Sequence, residues 1–350
     1  MKILVISNYS AHLQVAEGRM PNHHLFGCSA MIECFLPNNE AKVKQEFGGG
    51  IIKFVSINKK SLKTIISLYF KSFNYDVVYD ALNVVSKYFS VLNKYHLFPA
   101  KLVTIYHHPP FVKMMKYGKS DISLFFTENL KDLAMNNVCD GRKMIVNQWY
   151  PDIEWYKINS ISLSKIKIYD FLDNGKTNRD HNPFIKAMRS MPERIGIIVT
   201  DSKHIPSEYR EGDNVELFLQ DKPNDLTMLQ LCMKSKIMMV PLDINDNVIV
   251  GPIGNTSYMD AIALGMPMCT NVNAAFAEEI KENNTGTLFN HNVNSMFKAM
   301  QLSLENYDIL HNNMINFAKG HTIKKYSENI IDIIFKGHSE RYDDSSTIHQ

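Results

Sequence analysis

Cysteine is scarce and unpaired: Cys28, Cys34, Cys139, Cys232 and Cys269 are scattered through 350 residues, odd in number and without a CxxC. That pattern argues for a reducing cytosol and against a structural zinc. No stretch approaches about 20 consecutive apolar residues, so no segment is expected to span a membrane. The opening Met1–Tyr9 has too short an apolar run for a secretory signal and reads as a first strand. No Gly-x-Gly-x-x-Gly follows that strand, which disfavours a nicotinamide-dependent dehydrogenase. There is no Asp-x-Asp pair, so a cation-independent chemistry with no metal ligand is expected. No nucleic-acid-binding motif and no internal repeat is present.

What the chain does have is length, apolar residues and an uneven charge. An apolar fraction of 45% is ample for two cores, and the length suggests two domains of about 150–180 residues. Residues 1–150 hold 18 Lys and Arg against 10 Asp and Glu, a net of +8, while the remainder nets −6. The basic half contains Lys53, Lys59, Lys60, Lys63, Lys71, Lys113, Lys116 and Lys119. It could meet an anionic membrane surface or a phosphorylated acceptor, or simply be solvated.

Buried strands alternate with helices throughout. Strands are expected at 2–7, 51–57, 77–79, 102–106, 123–127 and 143–146, and a linker at 147–152 closes a first domain of residues 1–150. The loop Tyr9–Asn22 follows the first strand, and His23-His24-Leu25 reads as the start of the first helix. Lys63 to Phe73 is an amphipathic helix that either covers the sheet or lies on a membrane. His107 and His108 stand just past a strand, at the carboxyl edge where an open α/β sheet places its chemistry. A second domain over 151–322 begins with strands at 166–171, 195–199, 215–219 and 237–240, with one more at 286–289. A turn is expected over Asp173–Asp180, and helices from Pro183 and over Leu226–Met233. A last helix over 323–337 is expected to cross back to the first domain, followed by a polar tail at 338–350.

The second domain is organised around Gly251 to Pro267, GPIGNTSYMDAIALGMP. A buried strand ending at Pro241 leads through a polar loop to Gly254-Asn255-Thr256-Ser257, which opens a helix ended by Gly265 and Pro267. Unpaired N–H groups and the dipole at such a helix start favour an anion. The same residues also suit an N-capped helix in any α/β protein. Asp260 lies about one turn in, where an acceptor could hold sugar hydroxyls.

These residues resemble the bacterial GT-B glycosyltransferases, in particular the retaining group with a Glu-x7-Glu signature (family 4-like). Gly254 to Pro267 is similar to the family's small-x-Thr-Ser-x-x-Glu-Ala-x-Ala-x-Gly-x-Pro pattern. Asp173 to Met188 resembles its Gly-Arg…Lys-Gly turn and helix. Gly18-Arg19-Met20-Pro21-Asn22-His23-His24-Leu25 and Tyr106-His107-His108-Pro109 resemble segments lining its acceptor side. The resemblance implies an α/β protein of GT-B architecture, two Rossmann-like doubly wound domains facing across a cleft, acceptor first and donor second. It implies Asp260 on the donor's ribose, and Gly175, Lys176, Arg179, Gly254, Asn255, Thr256 and Ser257 on its diphosphate. Gly18, Arg19, His23 and His24 would lie on the acceptor side, with His107 or His108 on the donor sugar or acceptor. One position departs from the family: Pro252 stands eight residues before Asp260, where the first acidic residue contacts the donor sugar. Sugar identity and stereochemistry are therefore open, with Asp243, Asp246 or Asn247 as candidate substitutes.

The activity implied is transfer of a sugar from a nucleoside diphosphate, a UDP-sugar first among them, to a glycan or lipid-linked acceptor. The setting implied is bacterial O-antigen or capsule synthesis in the cytoplasm, in peripheral contact with the inner membrane. No cofactor beyond the donor and no nucleic-acid partner is expected. A retaining enzyme can pass the acceptor's proton to the donor phosphate, whereas an inverting one needs a base, for which His24 or His107 is the candidate. Lys176→Ala and Arg179→Ala are each expected to lower turnover by about 10²-fold or more. The competing readings are a non-catalytic nucleotide-sugar-binding or partner protein, favoured by Pro252, and a sugar-nucleotide epimerase of the same fold.

Overall fold

The computed structural model describes residues 2–7, 11–28, 52–57, 61–107, 111–138, 141–164, 166–222, 224–243 and 253–344, the side chains of 111 and 335–344 excepted. The chain divides into two compact units, Met1–Tyr150 with Ile323–Gln350, and Pro151–Thr322. Among the described residues no helix is long and apolar enough to cross a membrane.

The first unit holds strands β1 (Ile3–Ser7), β2 (Ile52–Ser56), β3 (Val77–Asp80), β4 (Lys101–Ile105), β5 (Ile122–Phe125) and β6 (Lys143–Val146). All pair in parallel in the order β2-β1-β3-β4-β5-β6. Its helices are α1 (Ala11–Ala16), α2 (Leu62–Ser72), α3 (Ser86–Lys94), α4 (Phe111–Tyr117) and α5 (Glu128–Met135). β3, β4 and β5 are buried along their whole length, because a parallel sheet is covered on both faces. Asp80, fully buried at the end of β3, accepts from the amides of Val84, Val85 and Ser86 and the Ser86 hydroxyl at 2.6–2.8 Å, anchoring the start of α3.

The second unit starts with α6 (Ile153–Ser160) and holds β7 (Tyr169–Asn174), α7 (Asn182–Arg189), β8 (Gly196–Thr200) and β9 (Val215–Leu219). It continues through α8 (Asp225–Met233), β10 (Ser235–Val240), α9 (Asn255–Leu264), β11 (Met268–Asn271), α10 (Ala277–Glu282) and β12 (Gly286–Phe289), then α11 (Val293–Glu305) and α12 (Tyr307–Gly320). The strands form a second parallel sheet, ordered β12-β11-β10-β7-β8-β9. Strand order reverses between β7 and β10, and an open α/β sheet takes ligands at the carboxyl ends of such a switch point. In the first unit the reversal lies between β1 and β3. The last helix, α13 (Ile323–Asp344), belongs to the first unit, where Ile323, Tyr326, Ile330 and Ile334 join its core.

Three expectations shift. The strand expected at 166–171 begins at Tyr169 and runs to Asn174, because Phe171 and Leu172 are fully buried and paired to both neighbours while Ile166 and Ile168 are exposed. The loop after β1 contains α1, and His23-His24 lies in a single 3-10 turn, Asn22–Leu25, stopped by Phe26 in the left-handed conformation. The last helix continues to Asp344 through residues expected in the polar tail; no proline or glycine lies between residues 338 and 344 to stop it.

Candidate anion site of the second unit

The second sheet's switch point gathers the strongest cluster. β7 ends at Asn174, and Gly175 turns the chain with φ +135°. The following turn is stitched to the segment after β10: Asp180 N–H donates to Pro241 C=O at 3.0 Å and Asp243 N–H to Asn178 C=O at 2.9 Å. This pairing returns Arg179 to the end of its own strand, where its Nε donates to Asn174 C=O at 3.2 Å. Ser257 in the first turn of α9 donates its hydroxyl to the same carbonyl at 3.3 Å. Arg179 Nη1 is shielded from solvent and has no hydrogen-bond partner among the described residues. Burial pushes the guanidinium down to about 10, against the opposing pull of Asp173, so it stays charged near neutrality.

Two glycines make room for that side chain. A Cβ on Gly175 would stand 2.9 Å from Arg179 Nε. Gly254, which begins α9 with φ +90°, would place one 2.8 Å from Val240 Cγ1 and 3.4 Å from Arg179 Nη2. The guanidinium thus lies beside the amino end of a ten-residue helix whose first N–H groups have no internal partner. Both features recruit the same ligand, an anion with several oxygens. Gly254→Ala is expected to destabilise the protein by about 1–3 kcal/mol through backbone strain and overpacking. A thermal melt checks this; an unchanged midpoint would mean that α9's start tolerates a side chain.

Beneath the turn lies a pair that the sequence reading missed. His181 Nδ1 is 2.7 Å from Asp173 Oδ2, and its Nε2 is 3.0 Å from Gly175 C=O. A backbone carbonyl and an ionised carboxylate both accept, so the arrangement favours an imidazole that donates from both ring nitrogens. Burial opposes the charged form, but the Asp173 carboxylate and its hydrogen bond outweigh it, and the His181 pKa is raised. Asp173 is fully buried. The one available signal was a carboxylate inside an apolar strand, followed eight residues later by a histidine.

The other expected donor-side residues divide. Asn255 is buried and Thr256 exposed in the first turn of α9. Asp260 Oδ1 accepts the Tyr156 hydroxyl at 2.5 Å, leaving Oδ2 without a hydrogen bond among the described residues. Burial lifts Asp260 to about 7, against the Tyr156 hydrogen bond and with the Asp225 charge adding to the rise. Lys176 is not drawn to Arg179. Its Nζ reaches Asp201 Oδ2 at 3.3 Å beyond β8, with the side chain 43% exposed. Asp201 is held near 2, chiefly by a hydrogen bond from His204 and also by Lys176.

In the first unit His107 is buried at the end of β4, its ring 6.0 Å from Phe126. His23 is also buried, its ring 4.5 Å from His24 and 5.4 Å from Trp149, whose indole N–H donates to His23 C=O at 2.9 Å. Burial drives the His24 pKa down to about 4, so that ring is neutral. A small pocket at this sheet's switch point is lined by Ser7, His12, His24, Phe54 and Ala81. Gly18 and Arg19 are exposed, and Arg19 is paired with Glu17. His108, Asp246, Asn247, Gly251 and Pro252 lie outside the described residues.

No protein-family model matches the chain, and no curated protein matches it by sequence. Solved structures do match it. Sucrose-phosphate synthase from Thermosynechococcus elongatus aligns with a TM-score of 0.70 at 11% identity, over 97% of this chain and 100% of that one. Anabaena HepE in complex with UDP aligns at 0.65 and 12% identity, over 96% and 100%. The fold is GT-B. The lipopolysaccharide outer core galactosyltransferase WaaB shares it, at 0.59 and 13% identity over 96% and 99%. Within this GT-B chain the described residues include no group of three His, Cys, Asp or Glu side chains placed to hold a metal.

Proposed function

We propose that this chain is a glycosyltransferase that moves a sugar from a nucleoside diphosphate, a UDP-sugar in the first instance, to a hydroxyl. The observation that carries the reading is Arg179 Nη1 beside the amino end of α9, shielded and without a hydrogen-bond partner among the described residues. Leaving a buried guanidinium N–H unpaired costs about 1–3 kcal/mol, a cost that an anion's oxygen removes. The likeness to GT-B enzymes, among them HepE solved with UDP and with UDP-glucose, supports a nucleotide sugar as that anion.

In this mechanism the departing diphosphate gathers charge as the glycosidic bond breaks. Arg179 and the first N–H groups of α9 stabilise it, and they are preorganised because His181 and the two glycines hold them in place. Gly175, Lys176, Gly254, Asn255, Thr256 and Ser257 complete the diphosphate side. Asp260 Oδ2 accepts from a ribose hydroxyl. His107 or His108 contacts the donor sugar or the acceptor, which Gly18, Arg19, His23 and His24 flank. With retention of configuration the donor phosphate takes the acceptor's proton, so no protein base is needed. The acceptor is a glycan or lipid-linked sugar of bacterial O-antigen or capsule, met at the cytoplasmic face of the inner membrane without a metal cofactor.

A thermal-shift and hydrolysis screen against UDP, GDP, CMP and dTDP sugars tests this. UDP at about 100 times its Kd is expected to add about 2.7 kcal/mol, with slow release of sugar from one donor. Stabilisation without turnover of any donor would mean a non-catalytic nucleotide-sugar-binding protein. Silence across the panel from folded protein would end the nucleotide-sugar reading.

A further inference from the structure

Helix α2 buries Ile65, Leu68 and Ser72 against the first unit, as a sheet-covering helix should. Its remaining apolar side chains have no such role. Leu62 is 72% exposed, Ile66 47%, Phe70 66%, and Phe73 just past the helix end 59%. At 3.6 residues per turn the four fall within an arc of about 80°, adjacent to the buried face and not part of it. The Phe70 and Phe73 rings stack at 6.5 Å, and each meets Tyr69, at 5.6 and 5.5 Å. The Tyr69 hydroxyl donates to Leu97 C=O at 2.8 Å, and Leu97, 58% exposed, extends the patch. A contiguous apolar surface of this kind marks a contact surface.

Charge selects the partner. Residues 51–75 carry Lys53, Lys59, Lys60, Lys63 and Lys71 and no Asp or Glu. Lys53 also sits close enough to Lys71 to add to burial in lowering its pKa. A stretch with five lysines and no acid complements an anionic surface. Pairing of this face with a second copy of itself would set like charges against each other.

We propose that α2 docks on an anionic lipid bilayer, with Leu62, Ile66, Phe70 and Phe73 set among the upper acyl chains and Lys53, Lys63 and Lys71 against lipid phosphates. The inference rests on the glycosyltransferase reading only for its purpose, an acceptor at a membrane; binding to lipid requires no turnover.

Co-sedimentation of the full chain with phosphatidylcholine vesicles, containing or lacking phosphatidylglycerol, tests it. Binding is expected only with the anionic lipid, and to weaken as salt is raised. Phe70→Ser with Phe73→Ser should lower partitioning by about tenfold or more. Each of Lys63→Gln and Lys71→Gln should lower it by about fivefold, the equivalent of ~1 kcal/mol per lysine near such a surface. Both phenylalanines are exposed, so the double variant should melt as the parent does and give the same thermal shift with UDP. Parent-like vesicle binding by that folded variant would overturn the proposal. So would absence of binding by the parent, or a dimer in sedimentation equilibrium that the double variant abolishes. Vesicle binding by a protein that turns over no nucleotide sugar would leave the docking surface standing and remove the enzyme.

Discussion

Arg179→Ala is expected to lower turnover by about 10²–10³-fold while leaving the protein folded. The size follows from where the side chain sits. Its Nε is spent on Asn174 C=O, which fixes the guanidinium plane, and its Nη1 is shielded, with no hydrogen-bond partner among the described residues. A fixed cation in a shielded place acts on developing charge without reorganising, and the low dielectric there strengthens it. Arg179→Lys keeps the charge but loses the fork, so it should recover only part of the rate. Lys176→Ala should cost much less, because that side chain is exposed and already paired with Asp201. The sequence alone expects similar effects from the two cations, and the pairing of Lys176 with Asp201 leads us to expect an order. Steady-state kinetics with the donor found by screening decides it. Similar losses for Lys176→Ala and Arg179→Ala would mean that Lys176 leaves Asp201 when the donor binds.

The second large effect is on stability and lies under the same turn. Asp173→Asn removes the carboxylate that raises the pKa of buried His181, and breaking a buried ion pair from one side costs about 3–5 kcal/mol. The pair also gives stability a pH dependence whose sign is fixed. His181 has a folded pKa raised above its ordinary 6.5. Its contribution is therefore fully present below pH 6.5 and is lost as pH rises through the folded value. Arg179, facing it from the turn, opposes the shift, and Asp173 dominates it. Denaturant melts of the parent and His181→Gln should differ most at mildly acidic pH and converge as the solution becomes alkaline. A gap that stays constant across that range would mean a neutral imidazole. Because His181 also holds Gly175 C=O, the glutamine variant should raise KM for the donor more than it lowers kcat, with a pH profile that follows the melts.

Much of the fold was legible because parallel strands buried on both faces read as unbroken apolar runs. β1, β4 and β10 stand out in this way, and the glycine and hydroxyl residues before α9 mark a helix start. The sequence pattern starts β7 three residues early because Ile166 and Ile168 look like strand residues although both are exposed. β11 is not legible in the sequence: four residues, Met268–Asn271, directly after a helix stop carry too little periodicity. α11 and α12 carry the period themselves: Met296, Ala299, Met300 and Ser303, and Leu310, Met314, Phe317 and Ala318, are buried at helical spacing.

The sequence by itself determined the α/β alternation, the helix start at Gly254 and the presence of two cations in the turn after β7, because glycine, proline and apolar period act locally. Only the tertiary structure decided which cation is held at the helix start, since that depends on the pairing of residues 178–180 with 241–243, far apart in the chain. It alone revealed His181 with Asp173, because a hydrogen-bond partner eight residues away across a turn leaves no periodic trace. It also decided that Phe70 and Phe73 face outward, as an apolar stripe in sequence is the same whether a sheet, a lipid or nothing covers it.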